Sequence, residues 1–282
     1  MIVPARFASG QVEALFDAVL VNDVVEPNTS LPDSIAFPID DRLIQDCFAL
    51  VLQLWRDGID RREARMLVGR LVRHADLDPA HRVAYKHVRA KFKQLRFACV
   101  LYDRRHRCPP LVKAVTTLMG HVQDAFRNRH PMAVRGYALL LRLLLSRPLW
   151  ALMTWEARVL RPEGAEGFRR YRTAEMRRLA AMLAAPQLTG DAFHAMRKIV
   201  SRFVAFIDVL RTLRPGEDVY RLSRFLSAIN GLMGAMHDDL VERHTTGALD
   251  YHSEPVALPP AIRDRIAALV GRYEEDVATL RH

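Results

Sequence analysis

Leu43-Ile44-Gln45-Asp46-Cys47-Phe48-Ala49-Leu50-Val51-Leu52-Gln53-Leu54-Trp55 is the stretch that decides the fold class. Leu43, Ile44, Cys47, Phe48, Val51, Leu52 and Trp55 return at steps of one, three and four, which stacks them on one face of a helix. The same period continues downstream. Helices are predicted over about 40–56, 60–75, 79–102, 109–128, 131–146, 148–159, 164–184, 189–212, 217–244 and 259–281. Breaks are expected at Gly58, Pro79, Pro109-Pro110, Pro131, Pro148, Pro162, Pro186, Pro215 and Pro255. Several of these prolines stand where a first helical turn tolerates a missing N–H. Strand signals are nearly absent, with few alternating Val, Ile or Thr runs and no Asn-Gly hairpin. Long helices joined by short turns pack antiparallel, so the expected fold is all-α.

Upstream of that stretch the pattern changes. Residues 1–41 carry Pro4, Pro27, Pro32 and Pro38, with one arginine, Arg6, against seven acids, a net charge of −6. One short helix is expected near Gln11–Val21, and the segment reads as an acidic lead-in outside the core, followed by an all-α domain over 42–282. The whole chain carries +10, so the remainder holds +16. A charge of that size favours a polyanionic partner: nucleic acid, an anionic membrane surface or polyphosphate. Lys86, Lys91, Lys93, Lys113 and Lys198 are the only lysines among 42 cations. Arginine grips phosphate through two parallel hydrogen bonds, although a GC-rich genome inflates arginine in the same way.

At 282 residues and half apolar, the chain can bury a large core. Cys47, Cys99 and Cys108 form no CxxC pair, which suits free thiols and a cytoplasmic protein. The N-terminus lacks the basic and apolar regions of a signal peptide. The nearest approach to a membrane span, Tyr137 to Trp155, is broken by Arg142, Arg147 and Pro148 and reads as a buried helix.

The chain also says one thing twice. Lys86-His87-Val88-Arg89 is followed by Met119-Gly120-His121-Val122-Gln123-Asp124, and His194-Ala195-Met196-Arg197 by Met233-Gly234-Ala235-Met236-His237-Asp238. Aligning Arg89 with Arg197 puts Gly120 opposite Gly234, each four residues before an aspartate, and Lys93 opposite Ser201. The extra residues of the second copy fall in the turn-forming run Arg214-Pro215-Gly216-Glu217-Asp218. Two copies, over about 80–130 and 189–245, predict two repeated antiparallel helical bundles side by side.

Within the first copy, Lys86, Arg89, Lys93 and Arg96 follow steps of three, four and three, which gathers four cations on one helix face. Phe92, Leu95, Cys99 and Val100 take the opposite face. In the second copy His194, Arg197 and Ser201 hold the equivalent positions, with Lys198 and Arg202 beside them. Neighbouring like charges repel by a few tenths of a kcal/mol per pair. An anionic ligand, or acids from the next helix such as Asp124 and Asp238, would offset that; a solvated charged face is the plain alternative.

On these residues the chain resembles the CHAD domains (conserved histidine α-helical domains). Their pattern is His-x-x-Arg-x-x-x-(Lys/Arg)-(Lys/Arg)-x-Arg on one helix and Leu-Gly-x-x-x-Asp on a later one, written twice. The likeness covers roughly residues 80–245. The resemblance implies paired helical bundles with a basic surface that binds inorganic polyphosphate, no cofactor and no catalysis. Lys86, His87, Arg89, Lys93, Arg96, His194, Arg197, Lys198 and Arg202 would line it. The chain departs from the pattern at Lys86, where the family has His and His87 comes one residue late, about 100° round the helix. Ser201 and Val204 also replace expected cations.

Rival constellations stand beside this one. His237-Asp238-Asp239-Leu240-Val241-Glu242 looks like the magnesium motif of all-α diphosphate enzymes, but Asp264, Glu274, Glu275 and Asp276 form no matching partner downstream. His237, Glu242 and His244 as metal ligands are spread round their helix. A protein-interaction scaffold with an exposed apolar patch remains an alternative. So does nucleic-acid binding, for which Tyr85, Phe92, Phe97 and Tyr102 could stack bases, although their spacing suits a core. The acidic lead-in is expected to lie over basic surface and compete with ligand.

Overall fold

The computed structural model describes residues 6–185 and 187–279. Among them there are eleven α-helices and no strand. In order these are α1 (Ser9–Leu20), α2 (Asp41–Gly58), α3 (Arg61–His74), α4 (Pro79–Tyr102), α5 (Pro110–Arg127), α6 (Pro131–Leu144), α7 (Arg147–Arg158), α8 (Ala165–Ala184), α9 (Gly190–Leu213), α10 (Glu217–Thr245) and α11 (Pro260–Thr279). The protein is all-α, as expected. Pro4, the break at Pro186 and the last residues of the expected final helix lie outside the described residues.

The chain divides into two compact units, one of residues 6–16 and 44–163 and one of residues 17–43 and 164–279. In unit 1, α4 packs on α3 and α5, α6 closes the ring against α3 and α5, and α7 rests on α5 and α6. Asp60 caps α3 by accepting from the Arg62 amide at 2.6 Å, and Asp78 caps α4 by accepting from His81 at 3.0 Å, with Pro79 at the first helical position. At the core Trp55 stacks on Trp150 with centroids 5.5 Å apart, and Phe92 meets both edge-on. Each such pair adds about 0.5–1.5 kcal/mol beyond its burial. Of the aromatics near the basic stripe, Tyr85, Phe92 and Tyr102 belong to this core.

The stretch Tyr137–Trp155 runs through two helices, α6 and α7, divided near Pro148 as expected and meeting at a 71° bend, but it is not the buried helix it reads as. Each buries only one face. Val134, Ala138 and Leu141 point inward, whereas Leu139, Leu140, Leu143, Leu152 and Trp155 are exposed. Leucines stand on both sides of α6, so periodicity gives no sign of which face is out. No single helix among the described residues is long and apolar enough to cross a membrane.

In unit 2, α9 packs on α8 and α10, and α11 closes a second ring against α8 and α10. From Phe203 to Leu210 α9 is buried all round, and the one charged side chain in that run, Asp208, accepts from the Asn22 amide at 2.8 Å. Residues 21–40 form a strap along this unit. Ser227 donates to the carbonyls of Val21 and Val24 at 2.8 and 3.1 Å, and the Asn230 amide donates to Asn22 O at 2.8 Å. Gly231 is required here, because a Cβ would stand 2.2 Å from Asp23 O.

Five arginines hold the rest of the strap. Arg214 donates to Pro38 O at 2.6 Å, Arg221 to Leu31 O at 3.1 Å, Arg265 to Pro27 O at 3.0 Å and Arg169 to Ile39 O at 2.9 Å, while Arg272 reaches Asp33 O. Ile35 is buried, and its amide donates to Asp276 at 2.6 Å. The lead-in thus contributes a packed element to unit 2, where its prolines keep the chain extended and its carbonyls available. Part of the arginine excess is spent on this strap.

Candidate polyanion-binding site

On α4, burial of Val88, Phe92, Leu95 and Cys99 turns the cationic face outward. Lys86 is exposed, and Arg89, Lys93 and Arg96 are half-buried. The Lys93 ammonium lies 5.5 Å from the Phe97 ring centroid, and Arg96 Nη1 is 3.5 Å from Thr117 Oγ1 on α5, which holds both side chains along the helix. Those four residues are brought together on one face.

His87 is placed apart from them. Its ring meets that of Phe16 edge-on at 5.2 Å, and the Lys91 ammonium lies 4.5 Å from the centroid of the same Phe16 ring while donating to Gly58 O. The 100° offset noted in the sequence sends His87 into this packing contact with α1 instead of the cationic face.

On α9, His194 and Arg197 are half-buried and Lys198 is exposed. Arg197 Nη2 would be 3.5 Å from a Cβ on Gly234, an ordinary van der Waals distance. Arg202 is used internally. Its guanidinium holds the Glu175 carboxylate through two bonds of 2.7 and 2.6 Å, and both side chains are largely buried. Beside them Arg172, also buried, lies 3.9 Å over the Phe203 ring, and desolvation lowers its pKa. Ser201, read as a missing cation, is buried and hydrogen bonds to Asn230 at 2.9 Å, in the network that seats the strap. A lysine there would be sealed from solvent.

A histidine–tyrosine cluster surrounds the start of α9. The rings of His194 and His237 are 4.9 Å apart, those of His237 and Tyr251 6.3 Å, those of His244 and Tyr251 6.1 Å and those of His244 and His252 5.5 Å. Tyr251 packs so closely on Gly190 that a Cβ would fall 2.5 Å from its ring. Burial, with Asp191 adding to it, pushes the Tyr251 hydroxyl up to about 12, against the opposing pull of Arg197. Asp191 Oδ2 lies 2.8 Å from His252 Nδ1 and raises that imidazole's pKa. His237 Nδ1 is buried, makes no hydrogen bond and stands 3.8 Å from Asp238. Sequence reading singled out His194, His237 and His244 but missed Tyr251 and His252, whose approach depends on the turn after α10.

Unit 1 holds a second cationic feature that sequence reading missed. Arg62, Arg65, Met66, Gly69, Arg73 and Arg142 line an open cleft of about 250 Å³ between α3 and α6. The spacing of Arg62, Arg65 and Arg73 on one helix was visible, but Arg142 joins them only through tertiary packing.

Among the described residues no three or more His, Cys, Asp or Glu side chains gather to hold a metal ion, so neither Asp238, Asp239 and Glu242 nor His237, Glu242 and His244 make such a set. No protein-family model, no curated protein and no solved structure matches the chain.

Proposed function

We propose that the chain is a non-catalytic polyanion-binding module of the CHAD kind whose ligand is inorganic polyphosphate. The observation that carries this reading is the cationic face of α4: Lys86, Arg89, Lys93 and Arg96 stand in register on one side of the helix, Lys86 exposed and the other three half-buried, opposite a buried apolar face. Successive cations along one helix suit a repeating anion, and arginine adds paired donors for each phosphoryl group. Support for the repeat comes from two rings packed in the same order, α3 to α6 and α8 to α11, with a 24-residue helix second in each. On α9 the contacting set narrows to His194, Arg197 and Lys198, since Arg202 is paired with Glu175.

The test is a competition titration of long-chain polyphosphate against single-stranded and duplex DNA at fixed salt, on the wild type and on Arg89→Ala/Arg197→Ala. The expected result is a preference for polyphosphate that the double substitution abolishes, with affinity falling steeply as salt rises. Equal weak binding to every polyanion, unaffected by the substitutions, would reduce the face to solvated charge. If His194 contacts phosphate, affinity also rises as pH falls through the imidazole range near ~6.5, because only imidazolium adds positive charge. His194→Gln should flatten that dependence.

A further inference from the structure

Unit 1 carries a surface that polyphosphate binding does not use. On α6, Met132, Arg135, Leu139, Arg142 and Leu143 recur at helical steps of three, four and one, and all five are exposed. Met132 is 75% and Leu143 61% accessible, which in a water-facing helix is the reverse of the usual arrangement. The following helix adds Leu152 and Trp155, the latter 59% accessible. From Ala125 to Trp155 the chain has five arginines and no acid. Beside α6 lies the arginine cleft of α3, where Arg65 donates to the Arg142 carbonyl and fixes one wall.

We infer that this α3–α6–α7 surface docks on an anionic phospholipid membrane. The cleft arginines meet headgroup phosphates, while Met132, Leu139 and Leu143 enter the boundary between headgroups and acyl chains. Charge complementarity selects this occupant. A second copy of the chain would bring arginines against arginines across a two-fold interface, and a nucleic acid would leave the leucines facing its phosphates. An anionic bilayer satisfies both features, because apolar insertion and attraction to acidic lipid act together on an interfacial helix. With 14 residues α6 is about 21 Å long, short of the ~30 Å hydrocarbon core, so it lies in the interface and does not cross. Trp155 has the amphipathic ring that settles at this depth.

The experiment is flotation of the full chain with vesicles of phosphatidylglycerol and phosphatidylcholine, and with phosphatidylcholine alone. Two variants accompany the wild type: Leu139→Ser/Leu143→Ser and Arg62→Gln/Arg73→Gln. All four side chains are exposed, so both variants should keep the wild-type melting temperature and polyphosphate affinity, which separates this surface from the α4 face. The wild type is expected to float with the acidic vesicles only. The arginine variant should bind about 30-fold more weakly, from ~1 kcal/mol per cation near the surface, and the leucine variant should lose at least tenfold. Failure of the wild type to float overturns the inference. So does a leucine variant that floats like wild type, which would mean adhesion by charge alone. A wild-type dimer that the leucine substitutions dissociate in sedimentation would reassign the face to self-association, and capture of duplex DNA through Arg62 and Arg73 would reassign it to nucleic acid.

Discussion

Glu175 is one carboxylate facing two buried guanidiniums. It pairs directly with Arg202, and its charge also opposes the desolvation of Arg172. Removing it leaves two buried cations without a counter-charge, which is far costlier than the pair is stabilising. Glu175→Gln is expected to lower unfolding free energy by about 3–5 kcal/mol in urea titration. A Glu175→Leu/Arg202→Met pair should recover the share of that loss due to Arg202 while buried Arg172 keeps the rest, and equal destabilisation by both variants would show that packing dominates. Gly231 is a second position of this kind. Since a Cβ would overlap Asp23 O, Gly231→Ala should cost about 1–3 kcal/mol and loosen residues 21–24, seen as faster amide exchange there. Gly10→Ala, where a Cβ meets nothing within 4 Å, is the control and should be neutral or slightly stabilising.

The helices were readable because their signals are local. Asp60 and Asp78 precede their helices directly, and Pro79, Pro110, Pro131 and Pro260 sit in first turns, so expected and observed ends agree closely. What could not be read is which face of a helix stays wet when both faces are apolar, as on α6, and which cations a distant acid would claim, as Glu175 claims Arg202 across 27 residues. The turn between α10 and α11 makes its own testable statement. The Asp191–His252 hydrogen bond raises the imidazole pKa above its ordinary value. The sign follows: its favourable contribution is full while the imidazole is protonated, at pH below the unfolded value, and is lost as pH climbs through the folded one. Ring-proton NMR should place the His252 midpoint above that of an unpaired histidine, and Asp191→Asn should bring it down. A midpoint indifferent to that substitution would remove Asp191 as the cause.

At the level of the whole chain, positive charge is distributed among several tasks. Some arginines form the open face of α4, some line the α3–α6 cleft, and five tie down a segment that the sequence presents as a separate acidic lead-in. That last role was invisible to pattern reading because each bond joins residues far apart in the chain, such as Arg272 with Asp33 and Arg265 with Pro27. Each of the five arginines reaches a main-chain oxygen of residues 27–39, which every residue type offers alike, although Arg265 also takes Thr29 Oγ1 and Arg214 the Asp40 carboxylate. Outside the prolines, buried Ile35 and the bonded Thr29 and Asp40, the lettering of that stretch is free to drift while its anchorage endures, whereas each arginine replaced on the other side unfastens a whole tether.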